Sequence, residues 1–500
     1  LLDRLIRVEA FETFLHRIFP GKTRFSIEGV DMLVPMIDEL MGCSAEEEIC
    51  SILIGMAHRG RLNVLAHNLG MPYTHILAEF LDPTGNFSTR NELGWTGDVK
   101  YHKGARRAVT SDESVQMVAS MAPNPSHLEH VNPVIMGMSR AADTKVDAPG
   151  PPEFFSNASL PVLIHGDASF MGQGVVAETL NLSQLSGYSV GGTVHLIVNN
   201  QLGYTTTSGE GRSTFYASDL AKGHEIPIIH CNADDPIACL EAVRTAFGYR
   251  QEFGKDFLID LIGYRRYGHN EGDEPTFTQP LMYQTISEHP SIRNIWAQEL
   301  IENREIDAQE PERRFHAVMS EFQGILEELQ PEGEQELESA LKPQLEAPPR
   351  GAARRVRTAV SLDRLKAFNE ALLELPEGFN VHRKLTRAMR RRRQVFEEVD
   401  QATIDWATAE ELAFASILAD GTPIRLSGED VARGTFSHRH AVFHDTISGE
   451  THTPLQALPQ AKASFEVINS PLSENAVLGF EYGYNVLAPD RLVVWEAQYG

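Results

Sequence analysis

Pro161-Val162-Leu163-Ile164-His165-Gly166-Asp167-Ala168 and, further along, Thr193-Val194-His195-Leu196-Ile197-Val198-Asn199-Asn200 are the stretches on which the reading of this chain turns. The first is a β-branched, apolar run of the kind that forms a buried parallel strand. Between them Gly172-Gln173-Gly174 opens a segment in which Val175, Val176, Thr179, Leu180 and Leu182 recur at helical spacing. Strand, helix, strand is one βαβ unit, with a carboxylate at the exit of its first strand and a carboxamide at the exit of its second. Open parallel sheets bind ligands at those carboxyl ends. Gly166 allows close backbone approach there. Carboxylate and amide oxygens are hard donors, suited to Mg²⁺ holding a diphosphate. The plain alternative is an Asp that caps a helix and an Asn in a turn.

Outward from this unit the alternation continues. Upstream, Cys50-Ser51-Ile52-Leu53-Ile54-Gly55-Met56 reads as a short apolar strand running into Ala57-His58-Arg59-Gly60-Arg61-Leu62-Asn63-Val64-Leu65, a loop turning into a helix. Cationic side chains at a helix start oppose its dipole, so an anion held there by Arg59 would explain them. Before it, residues 1–45 read as helical, with Leu5, Ile6, Val8, Phe11, Phe14, Leu15 and Ile18 on one face, Pro20-Gly21 as the stop and a second helix near Met32–Met41. Residues 81–115 read as a long polar loop carrying Gly97-Asp98-Val99-Lys100-Tyr101-His102. Asn124-Pro125-Ser126-His127-Leu128-Glu129 reads as a turn leading into a Ser-x-x-Glu capping box. Downstream, Phe257-Leu258-Ile259-Asp260-Leu261-Ile262 is a further buried strand, exiting into Tyr264-Arg265-Arg266-Tyr267-Gly268-His269-Asn270-Glu271.

The expected fold class is therefore α/β, with parallel sheets flanked by helices. Expected boundaries are a helical segment at 1–45, an α/β domain at 46–310, a mostly helical, exposed connector at 311–400 and a second α/β domain at 401–500. The connector holds an acidic stretch from Glu327 to Glu338, Pro348-Pro349-Arg350-Gly351 and Arg390-Arg391-Arg392-Arg393. The arginine run reads as a solvated helix face or a set of internal salt-bridge partners. In the second domain, Pro423-Ile424-Arg425-Leu426-Ser427-Gly428-Glu429-Asp430 and Phe465-Glu466-Val467-Ile468-Asn469-Ser470-Pro471-Leu472-Ser473-Glu474 read as strands with their exits, and Arg491-Leu492-Val493-Val494-Trp495-Glu496 as the last strand.

Five hundred residues suffice for two or three domains. A formal charge of −25 argues against a nucleic-acid partner, because phosphate repels an acidic surface, and no run is apolar and long enough to span a membrane. Cys43, Cys50, Cys231 and Cys239 lack metal or redox spacing and read as reduced, buried thiols. The chain begins at Leu1 without Met and stops just after a strand, which suggests cut ends.

Gly166-Asp167-Ala168 followed by Asn199-Asn200 matches the diphosphate motif of thiamine diphosphate enzymes. With it occur His58-Arg59-Gly60-Arg61, the 97–102 segment, Asn124-Pro125-Ser126-His127-Leu128-Glu129, Leu426-Ser427-Gly428-Glu429-Asp430, Arg433-Gly434-Thr435-Phe436-Ser437-His438-Arg439-His440 and Trp495-Glu496-Ala497-Gln498-Tyr499-Gly500. This set closely resembles the thiamine-dependent first component of the 2-oxoglutarate dehydrogenase complex. The likeness covers nearly the whole chain and is weakest from 311 to 400. Ala168, where thiamine enzymes at large carry Gly, is usual in that family.

The resemblance implies a thiamine diphosphate-binding fold, with 46–310 the diphosphate-binding domain and 401–500 the pyrimidine-binding domain. Asp167, the side chain of Asn200 and the carbonyl of Leu202 would hold Mg²⁺, with Ala168 beside them, and Arg59 and His269 would neutralise diphosphate oxygens. Glu474 would hydrogen-bond the aminopyrimidine ring and favour the tautomer that removes the thiazolium proton; Glu429 would lie near the same ring. The bland reading of Glu474 is a carboxylate favoured at a helix start. His58, His102 and, less directly, His127 would bind or polarise the substrate. The implied reaction is oxidative decarboxylation of 2-oxoglutarate with succinyl transfer to the lipoyl group of dihydrolipoamide succinyltransferase, in the tricarboxylic acid cycle. A homodimer is implied too, with Asp167 of one copy and Glu474 of the other serving one cofactor, and a location in the bacterial cytoplasm or the mitochondrial matrix. Rival readings are a 2-oxoadipate-preferring relative, a carboligase and a non-catalytic subunit of the complex. A nicotinamide-binding enzyme is excluded because Gly172-Gln173-Gly174 has the wrong continuation.

Overall fold

The β-branched runs become the centre of a seven-stranded sheet. The computed structural model describes residues 1–81, 100–111, 114–329, 356–398 and 401–498. In chain order the strands are β1 (Ser51–Met56), β2 (Ala105–Ser111), β3 (Ser114–Met121), β4 (Ser159–Gly166), β5 (Val194–Asn199), β6 (Ile228–Asn232) and β7 (Phe257–Ile262). Their spatial order is β6-β7-β5-β4-β1-β3-β2. Every pairing is parallel except β2 with β3. The sheet is buried on both faces, so its strands read as continuous apolar runs. Leu196, Val198, Ile259 and Leu261 face one core and Ile197 and Leu258 the other. The register Met56↔Ile164, Gly166↔Val198 and Ile262↔Asn199 brings the exits of β1, β4, β5 and β7 to one edge. The chain reverses its direction of growth between β1 and β4, which makes that edge a topological switch point.

Three expectations need correction. Residues 105–111 and the start of Ser114–Met121, within the stretch 81–115 read as loop, are strand: β2 and β3 form a hairpin whose second strand pairs with β1, Ser51 opposite Val118. Their Arg-, Ser- and Thr-rich sequence carries little strand signal. The free backbone edge of β1 recruits them, so tertiary pairing overrides propensity. Ser126 and Glu129 do not form a capping box, because the helix begins only at Val131. Cys50 is exposed and Cys43 half-buried, so only Cys231 and Cys239 are buried thiols. Gly97-Asp98-Val99, the acidic run from Glu332, Pro348-Pro349-Arg350-Gly351 and Tyr499-Gly500 lie outside the described residues.

The chain divides into two compact units. One holds Leu1–Ile135, Ser156–Leu185 and the described residues from Ser189 through Glu328; the other holds Met136–Phe155, Ser186–Tyr188 and those from Val356 on. In the first, helix α1 (Leu2–Ile18) and helix α2 (Leu33–Glu46) share one apolar core with the sheet. The helix Glu310–Glu328, within the stretch read as an exposed connector, buries Phe322 against Phe11 and Phe14, with ring centroids 5.8 and 5.7 Å away. Helix α3 (Gly174–Leu182) buries Val175, Val176, Thr179, Leu180 and Leu182, the five residues its periodicity singles out.

The second unit has a three-stranded parallel sheet, with β8 (Ile424–Gly428) between β9 (Phe465–Asn469) and β10 (Leu492–Glu496). Arg392 of the arginine run bonds Glu411 and, at 2.8 Å, Asn369. Arg425, on the central strand, is 2% exposed and lies among the rings of Tyr188, Phe480 and Tyr484. It bonds Glu481 at 2.7 and 2.9 Å, Glu466 at 2.6 Å and the carbonyl of Gly187 at 2.9 Å. Its carboxylate partners hold the guanidinium well above its ordinary pKa in spite of burial. Removing one partner of such a buried pair strands the other's charge. Arg425→Met is therefore expected to cost the second unit about 3–5 kcal/mol, measured by chemical denaturation with a probe in that unit.

Candidate active site at the carboxyl ends of the parallel strands

The exit of β4 becomes a short helix, Asp167–Gly172, so Asp167 enters the site from a helix's first turn. Asp167 is 3% exposed and forms no ion pair among the described residues. Burial pushes its pKa up to about 6, against the pull of its own and Asn200's backbone N–H groups and the nearby Arg212. Asn200 follows β5 and is buried; its Oδ1 accepts the N–H of Leu202 at 3.2 Å. The backbone that follows Asn200 holds two left-handed non-glycine residues, Gln201 at φ +67° and Tyr204 at φ +62°. Such left-handed non-glycine residues cluster at functional sites. The glycine that matters here is Gly203 rather than Gly166. Gly166 is extended, with φ −85° and ψ 148°, whereas a Cβ on Gly203 would lie 2.8 Å from Ala168 Cβ. Asp167, Ala168, Met171, Gln201, Gly203 and Arg212 line a pocket of about 170 Å³.

Beside it stands a ring cluster. Phe25 packs on His58 with centroids 4.1 Å apart, on Tyr101 at 4.7 Å and on His269 at 5.5 Å. His58 and His269 are 5.7 Å apart, and Tyr204 packs on His269 at 4.5 Å. The loop that leaves Leu202 thus leads directly into this cluster. Burial, with Arg59 and His269 adjacent, lowers the His58 pKa to about 3. Burial and Arg59 lower that of His269 to about 4. Both rings are neutral near pH 7, able to donate from one nitrogen and accept at the other.

Arg59 is fastened between two turns. One Nη donates to Ser26 O at 2.9 Å and the other to His269 O at 2.8 Å. Burial and Arg265 lower its pKa to about 10, so it stays cationic at neutral pH. Arg61, from the same short motif, has a different task. It is fully buried and donates to the carbonyls of Met56, Lys103 and Ala122. His102 is buried next to Tyr101, centroids 5.3 Å apart. Its carbonyl accepts the N–H of Asn124 at 3.2 Å, so the turn bearing His127 hangs from the same segment. His127 itself is exposed and packs edge-on to His130 at 5.8 Å. Glu129, expected at a helix start, is buried instead with φ +69°. It bonds His165 at 2.7 Å, Asn132 at 2.7 Å and Ser169, and so braces the strand exit that carries Asp167.

Residues 28–338 match the dehydrogenase E1 component family. The chain belongs to that family. Residues 402–500 match the transketolase pyrimidine-binding domain. Among curated relatives, the chain is 54% identical over 514 aligned positions to a 2-oxoglutarate dehydrogenase E1 component from Geobacillus kaustophilus, an alignment taking in all of this chain and 53% of that protein. It is 52% identical over 501 positions to proteins of the same name from Bacillus cereus and Bacillus mycoides, covering all of this chain and 52% of those. The chain spans about half the length of the curated relatives it matches.

This pair of E1 and pyrimidine-binding domains indicates thiamine diphosphate as cofactor. The donors at the β4 and β5 exits suit its diphosphate and a hard cation: one buried carboxylate without an ion-pair partner, one carboxamide oxygen and one backbone carbonyl, all oxygen. In the second unit of this E1 chain, Glu429 is half-buried just past β8. Gly428 there, at φ +149°, leaves no room for a side chain, since a Cβ would lie 2.4 Å from Glu496 O. Glu474 is exposed at the start of helix α4 (Asn475–Leu487) and makes no capping bond to it. Phe25, Gly203, Tyr204 and Glu129 were not legible as site residues, because each acquires its place through contacts distant in sequence.

Proposed function

We propose that the chain is the greater part of the catalytic core of a 2-oxoglutarate dehydrogenase E1 component. Its reaction is thiamine diphosphate-dependent decarboxylation of 2-oxoglutarate with succinyl transfer to the lipoyl group of a dihydrolipoamide succinyltransferase. The observation that carries this is the meeting, at one edge of one parallel sheet, of an oxygen donor set on Asp167 and Asn200 with neutral His58 and His269 and cationic Arg59. Bound there, thiamine diphosphate supplies the electron sink for loss of carbon dioxide. Asp167, Asn200 Oδ1 and Leu202 O hold Mg²⁺, Arg59 and His269 engage diphosphate oxygens, and Ala168 leaves room beside them. His58 and His102 bind the carboxylate of the substrate or donate to the oxygen that gains charge; His127, exposed on the turn tied to His102, has a lesser share. Calorimetric titration of the full-length protein with thiamine diphosphate and Mg²⁺ tests the cofactor reading, and absence of binding would refute it. Comparing turnover of 2-oxoglutarate and 2-oxoadipate tests the substrate.

Glu474 and Glu429 serve the pyrimidine end of a cofactor held by a second copy of the chain. An exposed apolar stripe on α4 supports a homodimer: Leu478, Tyr482 and Val486 are 49, 51 and 37% exposed at four-residue spacing, and Leu472, just before Glu474, is 87% exposed. Among the described residues no helix is long and apolar enough to cross a membrane. Independently of that, the relatives come from bacteria, which supports a bacterial-type cytoplasmic location.

His102→Ala is expected to lower kcat/KM for 2-oxoglutarate by about 100-fold, the usual loss for one donor to a developing oxyanion, while cofactor affinity changes little. Equal losses in both measurements would make His102 structural.

A further inference from the structure

Phe25 stands at the middle of the ring cluster in a conformation that it would not adopt unaided. Its φ is +52°, in the left-handed region that disfavours residues with a Cβ. The structure holds it there from several sides. The N–H groups of Arg24, Phe25 and Ser26 all donate to the carboxylate of Glu271, at 2.7, 3.3 and 2.9 Å. Successive N–H groups turned inward around an anion form a nest. Here the anion is a side chain 2% exposed. The next N–H, that of Ile27, donates to Glu12 at 3.2 Å, and Glu12 also binds Arg24 Nε at 2.7 Å and Asn63 at 2.7 Å. The carbonyls of the same turn are engaged as well: Phe25 O accepts Gly60 N–H at 3.1 Å and Ser26 O accepts Arg59. Four consecutive amide protons are thus given to two carboxylates, on a turn that places an aromatic ring and receives Arg59.

We propose that Glu271 is a positioning residue for the site. Its carboxylate fixes Phe25 in the left-handed conformation that lays the ring across His58 and His269. This rests on the functional reading above, which makes those histidines the substrate and diphosphate end of the site. It goes beyond that reading by giving a task to a residue 246 positions away from the ring it holds. Phe25 forms an apolar wall that keeps water from the inner faces of the histidines, and Arg59, bonded to Ser26 O, is drawn into register by the same turn. Loss of the carboxylate releases the turn, swings the ring away and loosens Arg59, without removing any group proposed to touch cofactor or substrate.

The test uses full-length wild type, Glu271→Gln, Phe25→Ala, Phe25→Gly and the Glu271→Gln/Phe25→Gly pair. In the cofactor-free protein, modification of His58 by diethyl pyrocarbonate, read by peptide mass spectrometry, should accelerate at least fivefold in Glu271→Gln, while exposed His316 keeps its rate. Phe25→Ala keeps the carboxylate and its backbone bonds, and should uncover His58 to a similar degree. Calorimetry should find thiamine diphosphate with Mg²⁺ bound at least tenfold more weakly by Glu271→Gln. In the Phe25→Gly background the same change should weaken binding less than threefold, since glycine takes the left-handed conformation without help. An unchanged His58 rate in either single variant overturns the proposal. So does a loss of affinity in Glu271→Gln that persists undiminished beside Phe25→Gly. If wild type itself takes up no thiamine diphosphate, the functional reading fails, and the modification rates alone still decide the role of Glu271.

Discussion

Asp167→Asn should make the cofactor-free protein more stable near neutral pH and at the same time weaken the Mg²⁺-dependent binding of thiamine diphosphate proposed above. Asp167 is 3% exposed without an ion-pair partner among the described residues, and burial raises its pKa from the ordinary 3.8 to about 6. A carboxylic acid whose folded-state pKa is raised holds its proton more firmly in the folded state than in the unfolded one. It costs nothing below pH 3.8, an increasing amount as pH rises through the window between 3.8 and about 6, and its full amount above. Two pKa units correspond to about 3 kcal/mol. The asparagine variant does not ionise and escapes this cost. Its unfolding free energy without cofactor should exceed wild type at pH 7 by up to about 3 kcal/mol, and the two should converge as pH falls toward 4.

A bound cation reverses the ranking. The site is built for binding: a buried charge, Gln201 and Tyr204 in left-handed conformations, and at Gly203 a backbone whose lack of a side chain lets it lie close to Ala168. Mg²⁺ would offset the Asp167 charge directly, which the amide cannot reproduce. Residues that only orient metal ligands already cost 10–100-fold in affinity when changed, so Asp167→Asn should weaken Mg²⁺-dependent binding of thiamine diphosphate by at least about 100-fold. Thermal scans at pH 7 with and without cofactor and Mg²⁺ should therefore cross, the variant melting higher without them and wild type higher with them. A variant less stable than wild type in their absence would mean that Asp167 is an ordinary capping carboxylate.

What could be read from the sequence follows a physical division. β4, β5 and β7 are buried on both faces, and such strands must be apolar and β-branched throughout, so they announce themselves. Helix α3 does so by its period. The polar residues that follow those strands then stand at one edge by topology, which singles out Asp167 and Asn200, whereas His58 and His269 could be named only through the resemblance to a known family. The hairpin β2–β3 could not, because its second strand is held by the edge of β1 rather than by its own composition. Arg59 and Arg61 are alike in sequence; only the fold turns one toward the site and sews three carbonyls together with the other. Glu129 read as part of a helix cap, and Glu271 only as the end of a strand exit. Both are buried anion ends of tertiary networks, and no local pattern encodes a partner 36 or 246 positions away. Sequence thus identified groups proposed to touch the cofactor and was silent on those that hold them still.

Glu474→Gln separates binding from chemistry. Glu474 is exposed at the head of α4 and makes no capping bond there, although a carboxylate at that position would be favoured by the helix dipole alone. If its role were that of a helix-start charge, glutamine would cost the second unit up to about 1 kcal/mol and leave every step of catalysis untouched. In the proposed role, the carboxylate of one copy would hydrogen-bond the aminopyrimidine ring of the cofactor held by the other and would hold the proton that this ring exchanges when it acts as a base. A neutral amide can still donate or accept one hydrogen bond to that ring, so cofactor affinity should change little. It cannot carry the proton, and loss of a proton-transfer group costs about 10²–10⁴ in rate. Exchange of the thiazolium C–H with deuterated solvent, followed by quenched-flow NMR on the full-length protein, should slow by about that factor. Normal exchange with normal cofactor binding would return Glu474 to the helix-cap reading. The proposed homodimer further has the Glu474 carboxylate of one copy reach a cofactor anchored by Asp167 of the other. Mixing Glu474→Gln with Asp167→Asn chains tests this: each heterodimer then carries one intact site, and activity should reappear on mixing two variants that are inactive apart.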